Sequence, residues 1–241
     1  MYDIIQQNII NQKIIFRGDV MLKFLGNGSC FNVKSGNTAA YYLSKDKKRL
    51  FLIDCGESVF EKIVPKMEEV EKVIVVITHF HSDHIGSLPS FIFYCNIVLG
   101  IKPIIVFPID TIKDVLFCMG VDENYYVYKN TCKIIDTQVK VEHKENMDSY
   151  AYVLKLGSKK VYYSGDSKKI PEVILLRFVN RDIDIIYHDM TRYTNSAHAH
   201  VTYLATVIPK KLRKYVFGMH FDDKETKIMA LKHGFKIALR G

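Results

Sequence analysis

The stretch Thr78-His79-Phe80-His81-Ser82-Asp83-His84 sets three imidazoles and one carboxylate within six residues. It stands directly behind Val73-Ile74-Val75-Val76-Ile77, a β-branched run that reads as a buried strand. Gly86, Leu88 and Pro89 follow, and the apolar segment Phe91–Leu99 reads as a helix. The cluster is therefore expected on a strand-to-helix turn at one end of a sheet, where binding sites usually lie. His79 and His81, two apart in extended chain, point the same way. Two neutral imidazoles converging on one point make half of a tetrahedral zinc shell. Asp83 and His84 fall where the chain turns and can face a second ion nearby. A lone His-x-His would carry little. The longer His-x-His-x-Asp-His pattern behind an apolar strand is far more specific, because its context confirms it.

The elements that must hold these groups follow from apolar periodicity and turn residues. Strands are expected at Leu22–Leu25, Ala39–Leu43, Arg49–Ile53, Lys72–Ile77 and Ile104–Phe107. Further short strands are expected at Tyr125–Tyr128, Cys132–Ile135 and Gln138–Val141, the last delivering His143. Tyr150–Leu156 and Lys160–Tyr163 form a hairpin around Gly157-Ser158, and Ile183–Tyr187, Lys214–Phe217 and Lys236–Leu239 complete the strands. Helices are expected over Glu57–Met67, Thr111–Met119, Ile170–Phe178, Val201–Ile208 and Glu225–His233. Asp54, His79, Asp166, His188 and His220 then each follow the end of a strand, a repetition that packing does not explain. The turn Gly26-Asn27-Gly28-Ser29 is no phosphate-cradling loop of the Gly-Lys-Ser/Thr type, since that signature does not follow it.

Composition bounds the rest. A chain of 241 residues, 48% apolar and 25% charged, has the make-up of a globular protein and the length for a sizeable core. No long linker, repeat or low-complexity tract divides it, so one domain is expected over residues 21–241. The net charge of +8 lies in scattered runs such as Lys45-Asp46-Lys47-Lys48-Arg49 and Lys210-Lys211, which read first as solvated surface and second as attraction for an anionic substrate. The five cysteines are odd in number and form no Cys-x-x-Cys, which argues for free thiols in a reducing cytosol. The apolar stretch 91–107 is broken by Asn96, Lys102 and Pro103, so no membrane span is expected. Met21 immediately precedes the first strand, and residues 1–20 are expected to be translated leader, with Met21 the native start.

These residues together resemble the metallo-β-lactamase-fold hydrolases over essentially all of 21–239. The motifs are Asp54, the His79/His81/Asp83/His84 cluster, His143, Asp166 within Ser-Gly-Asp-Ser, and His220. Phe24-Leu25-Gly26-Asn27-Gly28-Ser29, Ile53-Asp54-Cys55-Gly56-Glu57, His188-Asp189 and His200-Val201-Thr202 are similar to the ribonuclease Z-like branch. The resemblance implies an α/β fold, a four-layer αββα sandwich. It implies that His79, His81 and His143 hold one metal and Asp83, His84 and His220 the other, with Asp166 bridging. The ions would be two Zn²⁺, with Mn²⁺ possible on such ligands, and a water acidified between them would attack. Asp83 would also orient that water, and Asp54 would accept from a ligand histidine. For the leaving group, the family pattern implies His200 as general acid, supported by Asp189, with His198 competing two residues away. Ser29, His198 and Tyr193 are candidates for touching substrate, and Phe31, Tyr94, Tyr150 and Tyr193 for stacking on a base. His188 reads as support for its strand end and His233 as surface.

The departures from that branch choose the substrate. Ribonuclease Z enzymes that trim transfer RNA carry an extended arm, and only about fifty residues separate Leu88 from His143 here. A short, armless member resembles the anti-Pycsar cyclic nucleotide phosphodiesterases. That implies a small anionic nucleotide as substrate, a homodimer that closes the pocket, and action in the cytoplasm, the host's if the chain is phage-encoded. The alternatives are a transfer-RNA 3′-processing nuclease, which alone would bind nucleic acid, another hydrolase of the fold, and a non-enzymatic metal scaffold. The last would not need the open water position that marks catalytic zinc.

Overall fold

A computed structural model describes residues 21–194 and 197–241. The expected leader, residues 1–20, lies outside the described residues. Among the described residues, twelve strands form two six-stranded sheets. In the first, β1 (Lys23–Gly26), β2 (Ala39–Leu43) and β3 (Arg49–Ile53) pair antiparallel. The strands β4 (Lys72–Val76), β5 (Ile104–Val106) and β6 (Val127–Lys129) then continue in parallel. The second sheet repeats the scheme with β7 (Ile135–Lys140), β8 (Tyr150–Leu156) and β9 (Lys159–Tyr163) antiparallel. It is completed in parallel by β10 (Ile185–Asp189), β11 (Val216–Met219) and β12 (Lys236–Ile237).

Period-two alternation explains how both faces of each sheet are covered. In β3 and β4, Leu50, Leu52, Val73 and Val75 face the first helical layer, while Phe51, Ile53 and Val76 enter the core between the sheets. In β8 to β10, Tyr152, Leu154, Val161, Tyr163, Ile185 and Tyr187 enter the same inter-sheet core. Ala151, Val153, Tyr162 and Ile186 face the other helical layer. This is the αββα sandwich that the resemblance implies. No helix among the described residues is long and apolar enough to cross a membrane.

Several elements differ from the expected bounds for identifiable reasons. The helix expected over Glu57–Met67 is α-helical only at Phe60–Ile63 and tightens to a 3₁₀ turn at Val64–Lys66, where Pro65 cannot donate to the ladder. The helix expected from Phe91 begins at Leu88, with Pro89 in its first turn, and widens into a π-helical turn at Tyr94–Val98. Cys132–Ile135 and Gln138–Val141 are not two strands but one, β7, with an irregular register between Ile135 and Thr137. The strand expected from Lys214 starts at Val216, because Lys210–Tyr215 is a 3₁₀ turn behind Pro209. His188 lies within β10 instead of after it.

The two sheets are also joined along one edge. Gly28 bridges both Asn37 and Phe221, and Phe24 bridges Arg240. The Asn27 side-chain amide donates to Ala238 O at 2.7 Å. These contacts bring the first loop beside the segment that carries His220.

Candidate metal centre

Strand ends on both sheets deliver the candidate ligands to one place. The chain leaves β4 and keeps an extended conformation to His81 (φ −64°, ψ 149°), after which Ser82–Ile85 makes a single helical turn. His79 and His81 therefore lie on the extended part, while Asp83 and His84 come from the turn. Asp54, just beyond β3, and His220, just beyond β11, both take left-handed backbone (φ 63° and 54°). That conformation is uncommon for such side chains and concentrates where function over-determines it. Gly165 (φ 55°) admits the chain past Thr78, since a Cβ there would come within 2.8 Å of the Thr78 side chain.

Three overlapping groups of donors result among the described residues: two are built on the expected ligands, and the third is Asp166, His198 and His220. One atom each from His79, His81, His143 and Asp166 lies within 4.8 Å of all the others, as does one each from Asp83, His84 and His220. In the first group His79 Nε2 is 3.0 Å from His81 Nδ1, and His143 Nε2 is 3.2 Å from the same atom. Tetrahedral zinc with metal–nitrogen bonds near 2.05 Å sets its ligand nitrogens roughly 3.3 Å apart. In the second group His220 Nε2 lies 3.1 Å from Asp83 Oδ2, and His84 Nε2 lies 3.4 Å from it. Asp166 joins the two: its Oδ2 is 3.7 Å from His79 Nε2 and 3.3 Å from His220 Nε2, and its Oδ1 is 3.4 Å from His84 Nε2. His84 Nε2 and Asp166 Oδ1 are both buried without a hydrogen-bond partner, an arrangement that a cation between them satisfies. The residues fit a pair of divalent ions.

A further shell of contacts turns the ring nitrogens inward. His84 Nδ1 donates to Asp54 Oδ2 at 2.9 Å, and Asp54 is fully buried. Asp54 also accepts from the Thr78 backbone N–H (2.8 Å) and the Thr78 hydroxyl (2.9 Å). Since that hydroxyl donates to Asp54, its oxygen accepts from His79 Nδ1 at 3.0 Å. His143 Nδ1 donates to Ala197 O at 2.9 Å. Each of these bonds fixes the tautomer that leaves Nε2 for a metal. Thr78 and Ala197 were not legible as site residues. Thr78 has a signal in hindsight, a hydroxyl at the strand end; a backbone carbonyl such as that of Ala197 has none.

The electrostatics of the first group agree with this wiring; at His84, although burial opposes it, the charges of Asp166 and Asp54 hold the ring well above the ordinary imidazole range. Burial holds His79 well below the ordinary imidazole range, and burial likewise lowers His81 and His143, so all three are neutral donors. Burial alone would raise Asp83 and Asp166, but histidines carry both below the usual carboxylate range: the bonds from His220 and His84 at Asp83, the charges of His220 and His84 at Asp166. Asp54, where burial dominates, is raised.

The candidate proton-handling residues are arranged differently from what the resemblance implies. Asp189, buried at the end of β10, pairs with His198 and not with His200: His198 Nδ1 donates to Asp189 Oδ2 at 2.9 Å. His198 stacks on the ring of His220 (5.0 Å, 24°) and its Nδ1 is 3.8 Å from Asp166 Oδ2. Although burial opposes it, the bond to Asp189 and the charge of Asp166 raise His198 to about 9. His200 instead caps the helix Val201–Val207: its Nδ1 accepts from the Thr202 N–H (3.2 Å) and its Nε2 donates to Arg192 O (2.9 Å). His200 is the N-cap of that helix, so its ring turns to the helix's own first turn, while His198 stays beside Asp189. His188 is fully buried, its Nδ1 2.9 Å from the other oxygen of Asp189.

The remaining candidates are spread around the rim. Ser29 is buried, and its backbone N–H donates to Phe221 O at 3.1 Å. Tyr193 donates to Asp223 Oδ2 at 2.8 Å under the Arg192 guanidinium, which lies 4.2 Å from the ring centre. Tyr94 and Tyr150 pack on Phe60 (5.8 Å) and Phe107 (5.3 Å) instead of facing the centre. Phe31 is 93% exposed on the first loop.

Comparison with known proteins agrees with this geometry. A family model described as "Anti-Pycsar protein Apyc1" matches residues 20–118 and 114–240. A relative of that name from Bacillus phage 010DV004 is 27% identical over 93% of this chain and 98% of its own. Among solved structures, the metallo-β-lactamase fold protein YhfI from Bacillus subtilis superposes with a TM-score of 0.66 at 16% identity, over 88% of this chain and 90% of its own. A diphosphatase of the PhnP family also gives 0.66, at 20% identity, over 91% and 94%. With its sandwich, its two donor groups and a match over nearly its whole length, the chain belongs to the anti-Pycsar protein Apyc1 family of metallo-β-lactamase-fold hydrolases.

Proposed function

We propose that this chain is a dinuclear-metal phosphodiesterase that opens 3′,5′-cyclic nucleotides, cyclic CMP and cyclic UMP among them, to nucleoside monophosphates. In doing so it counteracts cyclic-nucleotide signalling against phage, in the cytoplasm of the host. The observation that carries this reading is Asp166 shared between two donor groups, with His198 and its carboxylate beside it, in a chain of the Apyc1 family. His79, His81, His143 and Asp166 would hold one ion, and Asp83, His84, His220 and Asp166 the other. Their nitrogen and oxygen donors suit Zn²⁺, and also Mn²⁺. Ions bound there supply Lewis acidity toward the phosphate and lower the pKa of water.

The chain's own side chains do the rest. Asp83, kept ionised by His220 and His84, accepts from the attacking water and aims it. Asp54 and Thr78 hold the His84 and His79 rings in place. His198 is the general acid: Asp189 fixes its orientation and keeps it protonated, and its proton goes to the leaving ribose oxygen. The imidazolium also offsets phosphate charge before the proton moves. Two copies of the chain would form the working unit, a stoichiometry that light scattering tests.

The test is hydrolysis of the 3′,5′-cyclic forms of A, G, C and U, with a precursor transfer RNA alongside and a chelator control. Chelator-sensitive opening of the cyclic phosphates with the RNA intact is the expected result. Trimmed RNA 3′ ends with inert cyclic nucleotides would overturn it.

A further inference from the structure

The first loop is stitched to the segment that carries His220. Ser29 N–H donates to Phe221 O (3.1 Å), Phe221 N–H to Asn27 O (2.9 Å), and the Asn32 amide to Phe221 O (2.8 Å). The His220 N–H itself donates to Thr38 Oγ1 at 3.1 Å. The two arms of the loop lie close: a Cβ on Gly28 would come within 2.7 Å of the Ser35 side chain. At the tip, Phe31 and Val33 are 93% and 86% exposed. Neither packs on the body of the protein, so the stance of the tip is set by the stem.

Lys227 acts on that stem. It projects from the helix Lys224–Lys232, and its ammonium donates to Asn27 Oδ1 and to Ser35 Oγ, both at 3.1 Å. Those acceptors sit one on each arm. The ammonium also lies 5.5 Å from the centre of the Phe221 ring. Among the described residues no carboxylate pairs with it. Burial, with the charge of Arg240, pulls it down to about 8. A partly buried cation without a carboxylate is unfavourable for folding, so stability does not explain why a lysine stands here. The tip does stand near the centre: Ser29, next to Cys30, is bonded to Phe221, the residue that follows His220.

We propose that Lys227 is a positioning residue: by bridging Asn27 and Ser35 it fixes both arms of the loop and thereby the stance of Cys30 and Phe31 beside the donor groups, where bound substrate meets them. The inference rests on the phosphodiesterase reading only for the substrate used to report it.

The experiment compares metal-loaded wild type with Lys227→Met, Lys227→Arg and Ser35→Ala. It reads amide hydrogen exchange over residues 27–36, metal content, and kcat and KM for cyclic CMP and for bis(4-nitrophenyl) phosphate. Lys227→Met is expected to speed exchange in the loop about tenfold and to raise KM for cyclic CMP about tenfold, the equivalent of 1.4 kcal/mol. Metal content and kcat stay near wild type, arginine restores both loop exchange and KM, and Ser35→Ala falls between. Unchanged loop exchange in a folded, metal-loaded Lys227→Met protein overturns the proposal. So does a fall in kcat that tracks loss of metal, which would make the residue merely structural. If Lys227→Met does not fold, Ser35→Ala decides, because it removes one arm of the bridge and leaves the ammonium in place. Wild type inert toward cyclic CMP sinks the substrate reading, while the exchange measurement still decides the bridge.

Discussion

The two sheets repeat one connectivity, two antiparallel pairings followed by three parallel ones, so that β3, β4 and β5 correspond to β9, β10 and β11. What the corresponding strand ends carry is different. In the first half nearly everything comes from one turn after β4, where His79, His81, Asp83 and His84 are bunched. Asp54 stands behind them at the end of β3. The end of β5 carries no donor: Phe107 there packs on Phe80 at 4.6 Å and steadies the turn. In the second half the groups are dealt out, Asp166 after β9, Asp189 at the end of β10 and His220 after β11. The same scaffold therefore serves two divisions of labour. One half gives His79 and His81 to one donor group and Asp83 and His84 to the other from a single turn; the other half adds His143 to the first, His220 to the second and Asp166 to both.

The largest test of that contrast is Asp166→Ala. Removing the one carboxylate that touches both groups is expected to deplete both metals and reduce turnover to background, read by metal analysis beside the assay. Retention of both metals would return the bridging part to the first half. Next is the pair His198→Ala and His200→Ala. The first is expected to lower kcat about 10²- to 10⁴-fold with metal retained. The second leaves kcat within about tenfold and loses about 1 kcal/mol of stability as a weakened helix cap, seen in denaturant melts. Equal losses of kcat would erase the distinction between β10's partner and its neighbour.

Asp54→Asn tests the first half alone. Because Asp54 bonds Thr78 and His84, metal affinity should fall about 10- to 100-fold at the group holding His84 and less at the other, as a chelator titration resolves. The smallest effects lie on the surface. Asp136 on β7 meets Lys155 (2.9 Å) and Arg177 (2.7 Å), whose bonds hold its carboxyl below the usual range. A depressed carboxylate stabilises above its unfolded pKa, about 3.9, and that contribution is lost as pH falls through the folded value. Asp136→Asn should therefore lower the melting temperature at neutral pH and converge with wild type in strong acid. Glu71→Gln, which removes the exposed Lys48–Glu71 pair (2.6 Å), should leave the melting temperature nearly unchanged at any pH.

How much was legible in the sequence follows the same division. The bunched turn announces itself, since four ligand-type side chains packed so closely behind an apolar strand seldom arise from surface chance. The strands of both cores were also readable from β-branched runs and turn residues. The dispersed half was marked by ligand-type residues repeating at strand ends, but which of them are ligands was legible only through family resemblance, because nothing local in Ser-Gly-Asp-Ser or Gly-Met-His distinguishes a ligand from a polar turn. Within Ala197-His198-Ala199-His200 the choice between two histidines depends on where the extended chain meets the helix cap, and that is set by tertiary packing. The early end of the helix at Ile63 had a local signal in Pro65. The irregular register that fuses two expected strands into β7 had none.

His220 donates its backbone N–H to Thr38, 182 residues earlier, and sets its ring Nε2 3.1 Å from Asp83 Oδ2, 137 residues earlier. A ribosome delivers these partners far apart in time. The turn with His79 and His81 emerges while Asp166 and His220 are still unmade, so a nascent chain offers at most a fragment of either group. Ion capture is thus a late event in biosynthesis, and the amount of metal a preparation carries becomes a gauge of how many chains have finished closing.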